Sequence, residues 1–263
     1  MTLEQAIALG ALQGATEFLP VSSSGHLAIA QSLISGFSQP GVLFDVLLHV
    51  GTMIAVAIYF WKDLRKLLTA PFRQDDSAGN DRRMLLLLIV GSIPTAIIGL
   101  AGKDYATALF HNIPVVAAML IVTGSILFIS ERLRKGEGSS NIGYGDAIIA
   151  GIAQGLAIIP GISRSGSTIA SLLLRGIDGE SAARFSFLLA MPAIFGATLL
   201  SLDDIQKVSP AEMTSYIAGT GAALMIGLLS IHFLLAIIRR KRLYYFAIYC
   251  WVAGALFMTL SLT

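Results

Sequence analysis

Six apolar runs, each close to 20 residues and separated by short charged stretches, limit what this chain can fold into. They lie at about Pro40–Trp61, Met84–Ala101, Ile113–Ser130, Arg184–Leu202, Thr214–Ile238 and Leu243–Leu262. A helix of that length crosses a hydrocarbon core of about 30 Å. Only helices and closed barrels satisfy their backbone in lipid, and none of the runs shows the period-two alternation of a barrel strand. Charged residues make up 13% of the 263, roughly half the share in a soluble domain. The fold class is therefore an all-α polytopic membrane protein, and disordered, disulfide-scaffold and soluble classes are excluded.

Charge gives the orientation. Lys62, Arg65, Lys66, Arg73, Arg82 and Arg83 join the first two runs. Arg132, Arg134 and Lys135 follow the third, Arg175 and Arg184 precede the fourth, and Arg239, Arg240, Lys241 and Arg242 join the last two. That is 15 of 18 basic residues on one face, against Lys103 and Lys207 beside Asp104, Asp203, Asp204 and Glu212 on the other. The positive-inside rule places the basic face in the cytoplasm. Basic residues segregated by loop are no sign of nucleic acid. Met1 to Ala15 lacks a basic stretch and carries Glu4, so it reads as mature chain. Cys250 has no partner for an intrachain disulfide and reads as a packing residue. Asp75–Asp81 reads as a flexible loop.

The ledger leaves a remainder. The stretch between Lys135 and Arg175 begins and ends in the cytoplasm, yet Ala147–Ile159 and Ile169–Leu174 are each too short to cross. They read as two half-helices with a polar tip at Pro160–Thr168. Residues 1–39 read as a second pair, broken at Pro20–Ser24 and re-entrant from outside. The two pairs match. Gln13-Gly14 precedes Gly25 as Gln154-Gly155 precedes Gly166, and at an offset of 141 Ser22, Ser24 and Gly25 meet Ser163, Ser165 and Gly166. Ser92-Ile93-Pro94-Thr95-Ala96 also resembles Ala190-Met191-Pro192-Ala193. One pair plus three spans per half makes an inverted-topology repeat, with six spanning helices and two re-entrant pairs in one membrane domain, residues 1–263. The halves run approximately 1–130 and 144–263.

Irregular backbone at membrane depth must line a cavity or be buried in protein, so both tips point to one internal site. Arg164, in the second tip, needs an anionic partner there. Its guanidinium suits phosphate bidentately, with Ser163, Ser165, Ser167 and Thr168 as hydroxyl donors, Gly166 allowing backbone approach and a helix N-terminus following. Alternatively, Arg164 only salt-bridges the facing tip. Glu17 shares a helical face with Gln13 and can ligate a divalent ion, pair with Arg164 or take a proton. His26, after Ser22-Ser23-Ser24-Gly25, suits acid–base work or phosphate contact, and Ser23 suits nucleophilic attack. Asp45 and His49 lie four apart on the first span as supporting or packing groups. His232 reads as structural, His111 and Asp104 as external-loop residues.

Gln13-x-x-x-Glu17-Phe-Leu-Pro-Val-Ser-Ser-Ser-Gly-His26 and Pro160-Gly-x-Ser-Arg-Ser-Gly-x-Thr168 resemble the two signature regions of bacterial undecaprenyl-diphosphate phosphatases of the bacitracin-resistance type. The likeness extends through Phe44-Asp45-x-x-x-His49-x-Gly51-Thr52 and Ala183-Arg184-Phe185-Ser186-Phe187 to essentially the whole chain. The resemblance implies an inner-membrane enzyme that removes one phosphate from a C55 isoprenoid diphosphate. Its product carries peptidoglycan precursors for cell-wall growth and cell shape, and bacitracin acts on the substrate, not on the protein. It also implies a site facing the periplasm and dependence on Mg²⁺ or Ca²⁺. Carried over by position, Glu17 is the essential carboxylate, Arg164 the phosphate clamp and His26 a proton-transfer or phosphate-contacting group. Ser163 and Thr168 support the phosphate, and Ser23 or water is the nucleophile. The family's opening position is acidic or Gln, and Gln13 leaves one carboxylate where the acidic form has two. Assembly is left open, a homodimer being one option.

Inverted repeats with broken helices are also a transporter design, so an isoprenoid-phosphate transporter or flippase using the same anion site is the alternative. A non-catalytic scaffold holding an internal Glu17–Arg164 pair is a third.

Overall fold

In the computed structural model, residues 1–35, 37, 43–75, 78–134, 138–201 and 209–262 are described. The start of the first run at Pro40, the loop residues Lys135, Asp203, Asp204 and Lys207, and residues 76 and 77 of the Asp75–Asp81 loop lie outside them. The described chain is helical, with one isolated bridge between Ser139 and Ile177. The helices are α1 (Leu3–Phe18), α2 (Ser23–Ser32), α3 (Leu43–Tyr59), α4 (Trp61–Thr69), α5 (Ala78–Leu109) and α6 (Ile113–Leu133). They continue as α7 (Tyr144–Leu156), α8 (Arg164–Leu174), α9 (Gly179–Leu200), α10 (Pro210–Arg239) and α11 (Tyr244–Leu262).

Five helices are long and apolar enough to cross a membrane, and α3 with α4 makes a sixth candidate. That first run does not continue straight. It turns by 82° at Phe60 into α4. The reason is in the sequence, since Lys62, Asp63, Arg65 and Lys66 follow Trp61 at once. An amphipathic helix of this kind lies along an interface instead of crossing it. The second run is longer than its apolar segment, because α5 continues to Leu109 through charged Lys103 and Asp104.

Polar side chains close the helix ends. Thr2 and Gln5 form a capping box on α1, Asn112 caps α6 ahead of Pro114, Asp178 caps α9, and Ser209 with Glu212 caps α10 ahead of Pro210. Each cap satisfies N–H groups that have no helical acceptor.

Contacts at one end of the bundle gather the basic loops. Arg184 pairs with Asp63, Arg239 with Glu180 at 3.0 Å and Arg175 with Asp146 at 2.8 Å. Arg83 donates to Asn141 at 2.7 Å. The Ser139 N–H donates to the Gly176 carbonyl and the Asp178 N–H to the Ser139 carbonyl, tying the start of the α7–α8 pair to its end. That pair leaves and returns at the same face. At the other end Met1, Ala30 and Phe37 pack with Leu43, Phe44 and Tyr216, so the α1–α2 pair also begins and ends together.

Several helix contacts exchange partners between the two parts of the chain. α1 lies along α10 and α7 along α5, while α6 pairs with α11 and α3 with α9. Lipid gives no hydrophobic drive between helices, so association rests on close packing of small residues. A Cβ on Gly10 would sit 2.0 Å from the Gly219 carbonyl oxygen, and one on Gly151, 141 positions later, 2.0 Å from that of Gly91. Gly10→Ala and Gly151→Ala are each expected to destabilise the protein by about 1–3 kcal/mol, the usual cost of overpacking. Thermal unfolding in detergent measures this, and unchanged midpoints would refute the close approach.

One match in the sequence is not part of the repeat. Pro94 and Pro192 lie inside α5 and α9, which occupy non-equivalent places in the two halves. Xaa-Pro in a helix recurs because the freed carbonyls find partners in a bundle. Cys250 is buried against the Pro20 carbonyl, a packing position as expected. His232 is exposed beside Tyr59, and His111 and Asp104 are exposed near the α5–α6 turn.

Candidate active site

The two re-entrant pairs meet tip to tip. A Cβ on Gly25 would lie 3.0 Å from Gly161 Cα, and one on Gly166 3.2 Å from Pro20 Cβ. Gly25 and Gly166 are repeat mates, as are Pro20 and Gly161, so the contact is reciprocal. The tips are shorter than the sequence suggests. The first break covers Leu19–Ser22, with Ser23 and Ser24 already in α2. The second covers Ala157–Ser163, so the half-helix placed at Ile169–Leu174 begins five residues earlier, at Arg164. The cause is capping. Ser22 Oγ accepts the Gly25 N–H at 3.2 Å and Ser163 Oγ the Gly166 N–H at 3.0 Å, which starts each helix inside the polar run. Ser23 and Arg164 thus hold the same place, the first residue of a buried half-helix, where the helix dipole favours anions.

Glu17, on the last turn of α1, is the hub. One oxygen, Oε1, pairs with the Arg164 guanidinium across the tips. The other, Oε2, accepts the Ser23 hydroxyl at 2.5 Å and the Gln13 amide at 2.9 Å, with His49 Nε2 at 3.4 Å. Glu17 is 5% exposed and Gln13 is fully buried. Arg164 also reaches the Ala190 carbonyl at 3.5 Å. Among the described residues Gln13 Oε1 is buried without a hydrogen-bond partner.

This cluster adjoins a small cavity between α3 and α9. Glu17, Arg164, Ser165, Thr52 and Ser186 give its polar lining, and Phe18, Met53, Val56, Phe187, Met191 and Ile194 its apolar wall. The cavity's volume is about 10 Å³, room for about one water.

The structure brings together Glu17, Gln13, Ser23, Arg164, Ser165 and His49. It turns others elsewhere. Ser163 Oγ and the Gly166 N–H serve each other, and Ser22 caps α2 with Ser24 beside it at 3.3 Å. Thr168 is fully buried and bonds the Arg164 carbonyl and the Ser186 hydroxyl, acting on the cavity through Ser186. Ser167 is buried, on the first turns of α8. His26 does not meet Glu17 or Ser23. Its Nδ1 lies 2.8 Å from the Ser22 carbonyl and its Nε2 2.7 Å from the Tyr249 hydroxyl of α11, away from the α3–α9 cavity. Asp45 accepts from Gln31 at 2.6 Å, and its carbonyl bonds His49 Nδ1.

Residues missed in the sequence are Ser186, Thr52, Tyr249 and Thr123, whose hydroxyl donates to the Gly161 carbonyl and accepts the Ser163 N–H. Ser186 and Thr52 lay in quoted motifs, and Tyr249 and Thr123 carried no local signal. Ser22 is also unusual in its backbone, with φ 69° and ψ 92°. Such a conformation costs a non-glycine residue about 1–3 kcal/mol and persists only when its surroundings fix it.

A family model described as bacitracin resistance protein BacA matches residues 6–256. A protein of Syntrophotalea carbinolica named undecaprenyl-diphosphatase is 58% identical over 262 residues, covering 99% of this chain and 100% of that protein. Relatives of the same name from Desulforapulum autotrophicum and Halothermothrix orenii are each 44% identical, over 97% and 99% of this chain and 96% and 99% of their own lengths.

Proposed function

Because the chain belongs to the bacitracin resistance protein BacA family, we propose that it hydrolyses undecaprenyl diphosphate to undecaprenyl phosphate and inorganic phosphate. The relatives' names support this reaction, and carriage of the same lipid is not favoured. The observation that carries it onto these residues is the buried Glu17–Arg164 pair across the two tips, with the Ser23 hydroxyl on the same carboxylate.

In this reading the diphosphate reaches Arg164 and the N-terminus of α8 while the isoprenoid stays in lipid. Fixed positive charge where phosphate charge accumulates is the main catalytic term. The Ser23 hydroxyl, already donating to Glu17, attacks the terminal phosphorus. Its proton passes to Glu17, the bond to the bridging oxygen breaks, and the lipid monophosphate leaves. Water then hydrolyses the phosphoserine. His49 and Gln13 hold the Glu17 carboxylate in place.

A divalent ion fits this set. Gln13 Oε1 offers a buried, unpartnered hard oxygen next to the Glu17 carboxylate, and Mg²⁺ is commonly held by one carboxylate, phosphate oxygens and water. Among the described residues no group of three His, Cys, Asp or Glu side chains is present, so the phosphate must supply part of the coordination. When bound, the ion would neutralise phosphate charge beside Arg164.

The proposal extends to the inverted halves at about 1–130 and 144–263, to the bacterial cytoplasmic membrane and to a site open on the periplasmic face. The last rests on the α1–α2 pair entering from the end opposite the basic loops.

Purified protein should release phosphate from undecaprenyl diphosphate with Mg²⁺ or Ca²⁺ and lose at least about tenfold with excess chelator, as expected when a charge-stabilising group is removed. Absence of release from folded, lipid-bound protein would refute the enzyme. Chelator-insensitive release would remove the metal. A phosphoserine trapped at Ser23 under single turnover would establish the covalent step, and its absence would favour water.

A further inference from the structure

We propose that Tyr249 is a positioning residue, which holds the His26 ring so that it braces the strained Ser22 turn and aims Ser23 at Glu17. The inference rests on the phosphatase reading and adds a residue to it. A carbonyl can only accept, so His26 Nδ1 carries a proton and donates it to the Ser22 oxygen at 2.8 Å. In the neutral ring Nε2 then accepts the Tyr249 hydroxyl at 2.7 Å. The tyrosine also stacks on the imidazole, with centroids 5.6 Å apart and planes 12° from parallel. Both ring nitrogens are thus engaged, and neither is turned to the Glu17 cluster.

The Ser22 carbonyl accepts twice from His26, from its backbone N–H at 3.2 Å and from its ring. With Ser22 Oγ on the Gly25 N–H, these bonds fix a residue whose φ is 69°. The next residue is Ser23, whose hydroxyl sits 2.5 Å from Glu17. A turn that relaxed would swing this hydroxyl away.

The second tip is an internal control. The mate of Ser22 is Ser163, with an ordinary φ of −75° and ψ of 119°. The mate of His26 is Ser167, which has no ring. Strain and brace occur together at one tip and are both absent at the other. Tyr249 is 46% exposed and comes from α11, so a residue at the bundle's lipid-facing side reaches the tip through one hydroxyl.

The test uses full-length protein in detergent with undecaprenyl diphosphate, comparing wild type, Tyr249→Phe, His26→Asn and His26→Gln. Asn keeps an N–H near the Nδ1 position, whereas Gln places it near Nε2 and loses the Ser22 bond. Tyr249→Phe should lower kcat by about tenfold with KM and the shape of the pH profile kept, the signature of lost alignment. His26→Asn should hold at least about one-tenth of wild-type turnover and His26→Gln less than about one-hundredth, since small misplacement costs ~10²-fold. Imidazole ¹⁵N spectra, with the His26 signal assigned from its loss in His26→Asn, should show a fixed Nδ1–H tautomer that Tyr249→Phe releases. Asn as inactive as Gln, with one limb of the pH profile gone, would make His26 a proton-transfer group and overturn the brace. Wild-type kinetics in Tyr249→Phe, or a tautomer indifferent to it, would overturn the role of Tyr249. If wild type releases no phosphate, the phosphatase reading fails, and the nitrogen spectra still decide the brace.

Discussion

Arg164→Ala should lower phosphate release by ~10³-fold or more, the range for an arginine that stabilises charge in phosphoryl transfer. This corresponds to about 4 kcal/mol of lost transition-state stabilisation. The substitution also strands Glu17, which is 5% exposed, without its cation. Removing one partner of a buried pair costs roughly 3–5 kcal/mol, so the thermal midpoint should fall as well. Arg164→Lys separates the two effects. A lysine keeps the charge and most of the stability but not the planar fork, and its turnover should stay at least about tenfold below wild type. Folded Arg164→Ala protein that hydrolyses within about tenfold of wild type would refute the assignment of the phosphate site.

The second large effect is steric. Gly161 sits at φ +94°, and a Cβ there would fall 2.3 Å from the Val116 carbonyl oxygen. Gly176 has a similar φ of +81° but, among the described residues, no heavy atom within 4 Å of the same position. Gly176→Ala therefore incurs only the left-handed backbone cost, about 1–2 kcal/mol, with turnover kept. Gly161→Ala adds about 1–3 kcal/mol of overpacking and pushes the tip that carries Ser163 and Arg164. A shift near 1 Å at a reacting group costs ~10²-fold, so turnover should fall by that much or more. Equal effects of the two substitutions would mean that backbone conformation, not the contact with α6, governs the second tip.

Much of this protein was legible in one dimension because the membrane removes most alternatives. Apolar length fixed the spanning helices near Ile113–Ser130 and Leu243–Leu262 to within a few residues of α6 and α11. The distribution of arginine and lysine identified the loops that the Arg184–Asp63 and Arg239–Glu180 pairs gather at one end. A lone arginine between two short apolar segments required an internal anion, and Glu17 supplies it. These inferences rest on solvation and on chain length, which depend on residue type and spacing alone.

Tertiary structure decided what depends on direction. The serine caps begin α2 and α8 inside the polar runs, so Ser163 and Gly166 spend their hydrogen bonds on each other, while Ser23 and Arg164 lead their helices. His26 and Ser23 are three residues apart in sequence, yet one faces α11 and the other the α1 carboxylate. Tyr249 and Ser186 come from helices distant in the chain, and their partners follow from how α11 and α9 pack against the tips. Residue type and spacing determine which groups must leave lipid and find partners. The packing of the helices determines which partners they meet.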